Sequence, residues 1–150
     1  MSSASKPRSA STAPNATVLS RVFNGLSEGV AVTQKEFGPK GLVIEHINPA
    51  LALISGRDAT ELIGQPHGIL HHDRKDLTPM RRWLKELPEA QPFTQEGYLK
   101  RKDGTLVFVA WTLTALTDAH GSVTQIMITY RDMAANQQLR EALVHSQRLD

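Results

Sequence analysis

His67, His71 and His72, three of the six histidines, fall in the stretch from Gln65 to Asp76 beside Asp73 and Asp76. These are the residue types most able to do chemistry in this chain. His67 and His71 are four apart and can share one face of a helical turn, where Asp73 or Asp76 would complete a metal-ligand set. The same pattern also describes a solvated loop, in which an adjacent His-His-Asp caps a helix border and no metal binds; that is the reading adopted for this stretch. Such imidazoles titrate near neutrality and can bias a conformation. Elsewhere there is no nucleophile motif, no phosphate-binding loop and no carboxylate pair at a defined spacing, so no catalysis by this chain alone is expected. The absence of cysteine excludes disulfides, thiolate nucleophiles and zinc-thiolate sites.

The elements that must position these groups belong to a chain of 150 residues. That is the size of one domain, able to bury roughly 70% of the surface its unfolded chain exposes. Hydrophobic residues make up 40% and aromatics 5%, which implies an aliphatic, Ala-filled core. Net charge is +2 with both signs interspersed, so no basic stripe favours nucleic acid. No apolar run approaches the length of a membrane span or a signal peptide, and a cytoplasmic protein is expected.

Met1 to Asn15 is Ser, Ala, Pro and Thr with only Lys6 and Arg8 charged, which predicts a disordered tail over 1–15. Val18, Leu19, Val22, Phe23 and Leu26 recur at helical spacing, giving a flanking helix over 16–26. Two short β-branched runs, Gly29 to Gln34 and Leu42 to Ile47, form a hairpin around a loop of five residues or slightly more at Phe37 to Gly41. Asn48-Pro49 caps a short helix stopped by Gly56, and Asp58 with Glu61 forms a capping box for a second helix that ends at Gly64. A better helix opens at Thr78-Pro79, carries Met80, Trp83, Leu84 and Leu87 on one face, and ends at Pro88.

From Tyr98 to Asp132 the pattern is an antiparallel meander whose middle strand is Thr105 to Leu116. Arg101 to Gly104 and Asp118 to Gly121 reverse the chain, each ending in a glycine that allows positive φ. Along the middle strand Val107, Val109, Trp111 and Leu113 share one face, with Phe108, Ala110, Thr112 and Thr114 on the other. A polar-rich helix over 133–150 carries Leu139 and Leu143 at core spacing for a short coiled coil. The stop at Asp150 inside that helix suggests a chain cut from a longer one. Two strands, several helices and then three strands give an α+β domain: one five-stranded antiparallel sheet with short helices on one face, between flanking N-terminal and C-terminal helices.

The ordered motifs Gly29-Val30-Ala31-Val32-Thr33, Ile47-Asn48-Pro49-Ala50, Ser55 to Gly64, Arg101-Lys102-Asp103-Gly104-Thr105 and Tyr130-Arg131-Asp132-Met133 resemble the PAS domains. No motif is specific alone; their order and spacing over roughly 27–132 carry the likeness. The resemblance implies a sensory or protein-pairing module whose sheet and helices enclose a pocket. It places His67, Trp83, Phe93, Leu99, Val109, Trp111 and Tyr130 as candidate lining, with Val107 to Leu113 turned inward, although a tryptophan facing a sheet is more often core packing. Because that inner face reads as apolar, ligand selection by shape more than by hydrogen bonds is expected.

Members of the family bind flavin, heme, small organic molecules or nothing. Light-sensing members have an Asn-Cys pair after the glycine equivalent to Gly64 and amides on the late strands; Pro66, His67, Leu99, Val109 and Tyr130 stand there instead, so FMN is not expected. The FAD-binding redox sensors are a closer likeness, through the histidine-rich loop, Trp83 and Pro92-Phe93, although their strand asparagine is Leu99 here. FAD is thus the leading specific ligand, ranked behind the absence of any tightly bound cofactor. Heme lacks an axial histidine on the helix that begins at Thr78. His145 is followed by Ser146-Gln147-Arg148, unlike the acidic and apolar pattern after a kinase phosphoacceptor. The expected role is a sensory input and dimerisation module of a bacterial signalling protein such as a histidine kinase. It would be a homodimer through its flanking helices and outer sheet face, feeding a downstream output domain. A ligand-free docking module and an FAD redox sensor are the alternatives.

Overall fold

The computed structural model of the protein describes residues 16–148, so the tail expected over 1–15 and the last two residues lie outside the described part. Helix α1 (Ala16–Gly25) leads into strands β1 (Gly29–Gly38) and β2 (Gly41–Ile47), then helices α2 (Pro49–Ser55) and α3 (Ala59–Leu62). Two 3₁₀ turns, His67–Leu70 and Arg74–Asp76, precede helix α4 (Leu77–Leu84). Strands β3 (Phe93–Lys100), β4 (Leu106–Thr117) and β5 (Val123–Asp132) and helix α5 (Ala134–Arg148) complete the order. The sheet runs β2-β1-β5-β4-β3 with every pairing antiparallel, so β5 joins the N-terminal hairpin to the meander and is the middle strand. The expected α+β sheet and meander are present, with Gly104 and Gly121 at positive φ in its two turns.

The helix ends follow their local signals. Asn48 Oδ1 accepts from Leu51 N–H at 3.1 Å at the start of α2, and Asp58 and Glu61 form a reciprocal capping box on α3. Some expected boundaries differ: the first strand of the meander begins at Phe93, not Tyr98. The first hairpin extends through Phe37 and Gly38, which pair with Leu42 and Gly41, leaving only Pro39-Lys40 as the turn. Irregular pairing around Thr33 breaks the alternation that marks a strand in sequence. Helix α4 ends one turn before Pro88, because a proline there disfavours helical Leu87 and would strike the carbonyl of Leu84. The chain instead tightens, the amides of Lys85, Glu86 and Leu87 donating to the carbonyls of Arg82, Trp83 and Leu84.

Asn48 does more than cap. Its side chain is buried, Oδ1 also accepts from Val30 N–H at 2.8 Å, and Nδ2 donates to Phe23 O at 3.2 Å and Glu28 O at 2.9 Å. One amide thereby ties the end of α1, the start of β1 and the first turn of α2. Asn48→Ala is expected to cost about 2–4 kcal/mol, since it removes a cap and strands a buried strand N–H. Urea unfolding of the full chain measures this; a loss below about 1 kcal/mol would reduce Asn48 to an ordinary cap.

Candidate functional site

The 3₁₀ turns and α4 lay a layer of side chains over the inner face of β3, β4 and β5. Val107, Val109, Trp111 and Leu113, which share one face by alternation and which the family resemblance turned inward, are buried beneath it. His67, Trp83, Leu99, Val109, Trp111 and Tyr130 all lie in this interior, and Phe93 sits half-buried at its margin. Trp83 is anchored by donating from Nε1 to Gln91 O at 2.7 Å.

The solvated-loop reading of the histidine stretch is overturned at His67 and His71, which are 0% and 6% exposed. His67 Nδ1 accepts from Leu42 N–H at 2.8 Å, which leaves the hydrogen on Nε2, 3.2 Å from Met80 Sδ. Gly41 makes this approach possible, since a Cβ there would lie 2.5 Å from the imidazole. His71 turns Nδ1 toward Asp76 Oδ2 at 3.0 Å. The carboxylate accepts, so Nδ1 carries the hydrogen of this contact.

His71 stands edge-on to Trp111, with ring centroids 4.6 Å apart, and 6.5 Å from the Tyr130 ring. Gln95 on β3, Trp111 on β4 and Tyr130 on β5 are register partners, forming one row across the sheet under His71. The Trp111 ring reaches across β3 over Gly97, where a Cβ would meet it at 2.5 Å. In this group the Gln95 Oε1, Trp111 Nε1, Tyr130 hydroxyl and His71 Nε2 are buried and have no hydrogen-bond partner among the described residues. Burial pushes the Tyr130 phenol well above its ordinary value, so it is a neutral O–H. The expected apolar inner face is therefore corrected: it holds buried polar atoms of Gln95, Trp111, Tyr130 and His71. His71, Asp76 and Gln95 were missed as interior residues. The only available signal was the alternation that puts Gln95 on the same strand face as Leu99.

The family's large cofactors fit this interior poorly. A flavin ring would need the volume filled by Leu99, Val109, Trp111, Ile128 and Tyr130, all at zero exposure. For heme, His67 offers no free ring nitrogen, since Nδ1 accepts from the Leu42 amide and Nε2 carries the hydrogen.

Burial and the neighbouring His71 pull the His67 pKa down to about 3. The native state therefore holds His67 neutral while the unfolded chain protonates it near 6.5. Its contribution is complete above about pH 6.5 and declines as pH falls toward 3, by about 1.4 kcal/mol per pH unit. Between pH 7.5 and 5 the wild type is expected to lose about 2 kcal/mol more than His67→Gln, measured by urea unfolding. Equal pH slopes would show that His67 does not control this loss.

With the geometry established, three comparisons with known proteins bear on the chain. The sequence profile of the PAS fold family matches residues 23–138. No curated protein matches. Among solved structures, an RNA-binding light-oxygen-voltage receptor superposes with a TM-score of 0.70 at 19% identity, covering 99% of this chain and 41% of the receptor. A PAS domain from Colwellia psychrerythraea gives 0.66 at 16% identity over 77% of this chain and 94% of that one. A domain of a sensory box sensor histidine kinase/response regulator from Geobacter sulfurreducens gives 0.61 at 17% identity over 77% and 92%. At these identities the likeness is one of fold, and this chain spans less than half of the light-oxygen-voltage receptor. The profile match over most of the chain carries the family assignment: this protein belongs to the PAS fold family.

Proposed function

We propose that this chain is a signal-input module in which a change at the His71, Trp111 and Tyr130 group is passed along β5 into helix α5. The observation that carries this reading is a short covalent and hydrogen-bonded path. Tyr130, paired with Trp111, lies two residues before Asp132, whose Oδ1 accepts from Ala134 N–H at 2.9 Å at the start of α5. Between them Met133 N–H donates to Phe108 O at 2.9 Å, holding the junction against β4. A displacement of the Tyr130 side chain thus meets the helix start through backbone that has little slack. The stimulus suited to this group is one that changes the hydrogen bonding or packing of its buried polar atoms. The histidine-kinase domain with the same fold supports an output domain downstream of α5 as the receiver.

A second reading, a pairing module that works by contact alone, is favoured by apolar side chains outside the core. Leu19 and Val22 on α1 are 54% and 56% exposed, and Leu139 and Leu143 on α5 are 60% and 56% exposed. Homodimerisation through these helices serves either reading.

Tyr130→Phe removes a buried hydroxyl that has no partner, so thermal stability is expected to stay level or rise, against the usual loss for a core change. A fall in Tm above a few degrees would make the hydroxyl structural. Trp111→Phe followed by hydrogen-exchange mass spectrometry is expected to alter protection through β5 and into the first turns of α5. A change confined to β4 and β5, with α5 untouched, would defeat the transmission path. Light scattering at high micromolar concentration should give a dimer of the 16.5 kDa chain, and a monomer would remove the pairing part of both readings.

A further inference from the structure

On the outside of the domain, away from the Trp111 and Tyr130 row, a cleft of about 750 Å³ opens between the end of α4, the far end of β1 and the β4–β5 turn. That volume is typical of small-molecule sites, about 300–1,000 Å³. Phe37, Leu84, Leu87 and Val123 supply its apolar surface, while Lys35, Arg81 and Lys85 supply its charge, and no carboxylate lines it.

Those three cations have no ion-pair partner among the described residues. Arg81 is partly fixed, its guanidinium stacked 4.6 Å from the Phe37 centroid and one NH2 donating to Gly38 O at 3.4 Å. This leaves most of its fork of donors free and preorganised beside an aromatic ring. The simplest alternative is that basic residues merely offset the negative end of α4. It does not account for Lys35, which sits on a strand, nor for the carbonyls of Arg82, Trp83 and Leu84, which already accept from the amides of the following turn.

We propose that this cleft binds a small organic anion, a carboxylate or similar acid carried on an apolar body. The body lies against Phe37, Leu87 and Val123, and the acid pairs with Arg81 between Lys35 and Lys85. Charge complementarity selects an anion, and the apolar floor selects against a bare inorganic one. The site is separate from the interior group, so it stands or falls independently of the signalling path.

The test is an amide-resolved NMR titration of the full chain with 4-phenylbutyrate, beside its neutral analogue 4-phenylbutanol and beside acetate. Phenylbutyrate is expected to shift Phe37, Arg81, Lys85, Leu87 and Val123. Both comparison probes should bind at least about fivefold more weakly, as loss of either one charge pair or the apolar contact costs near 1 kcal/mol. The exposed double variant Lys35→Gln/Lys85→Gln, checked for an unchanged Tm, should weaken phenylbutyrate at least fivefold, and Arg81→Gln should do so further. The proposal is overturned if no shifts appear at millimolar probe, if the alcohol or acetate matches phenylbutyrate, if the variants bind it unchanged, or if shifts concentrate on α1 and α5. It is overturned equally if the same amides move on simple dilution, which would assign the cleft to a second copy of the chain.

Discussion

The side-chain amide of Asn48 fills all of its main bonding directions in the interior, accepting from Val30 and Leu51 and donating to Phe23 and Glu28. A buried amide left unpaired is costly, so each of these bonds offsets a desolvation penalty. Their joint formation fixes where β1 enters the sheet relative to α1 and α2. Because β1 pairs with β5 and β5 with β4, the same constraint sets the register on which Trp111 and Tyr130 meet. One polar side chain thus ties the first two helices to the first strand.

Within that frame the protein gives up some stability at its centre. Most buried polar groups in folded proteins find partners, and Asn48, His67 and Trp83 follow the rule. The Trp111 indole, the Tyr130 hydroxyl and His71 Nε2 find none among the described residues. Two features hold the group in this arrangement: Asp76 orients the His71 ring, and Gly97 gives the Trp111 ring a place to lie. Of these residues Tyr130 lies on the strand that runs directly into the last helix.

Chemistry elsewhere is distributed by exposure. His67 and His71, four residues apart, are treated differently by the fold: one is held neutral by burial and a backbone N–H, the other is paired with a carboxylate. The cations around Phe37 stay at the surface, where an anion can reach them without the desolvation that burial would impose.

Features encoded over a few residues were legible in the sequence. The caps at Asn48 and Asp58, the turn glycines Gly104 and Gly121 and the alternation from Val107 to Leu113 depend on local backbone geometry, so the five strands, the order of the helices and the family likeness could be read directly. The irregular pairing of the first hairpin and the inward turn of His71 against Trp111 could not, since each depends on contacts between separate segments. The sequence by itself determined which residues face the interior of β4. Only the tertiary structure decided that the polar atoms of Trp111, Tyr130 and His71 would lie together without partners, because hydrogen-bond satisfaction depends on which atoms of different elements come within about 3 Å of one another.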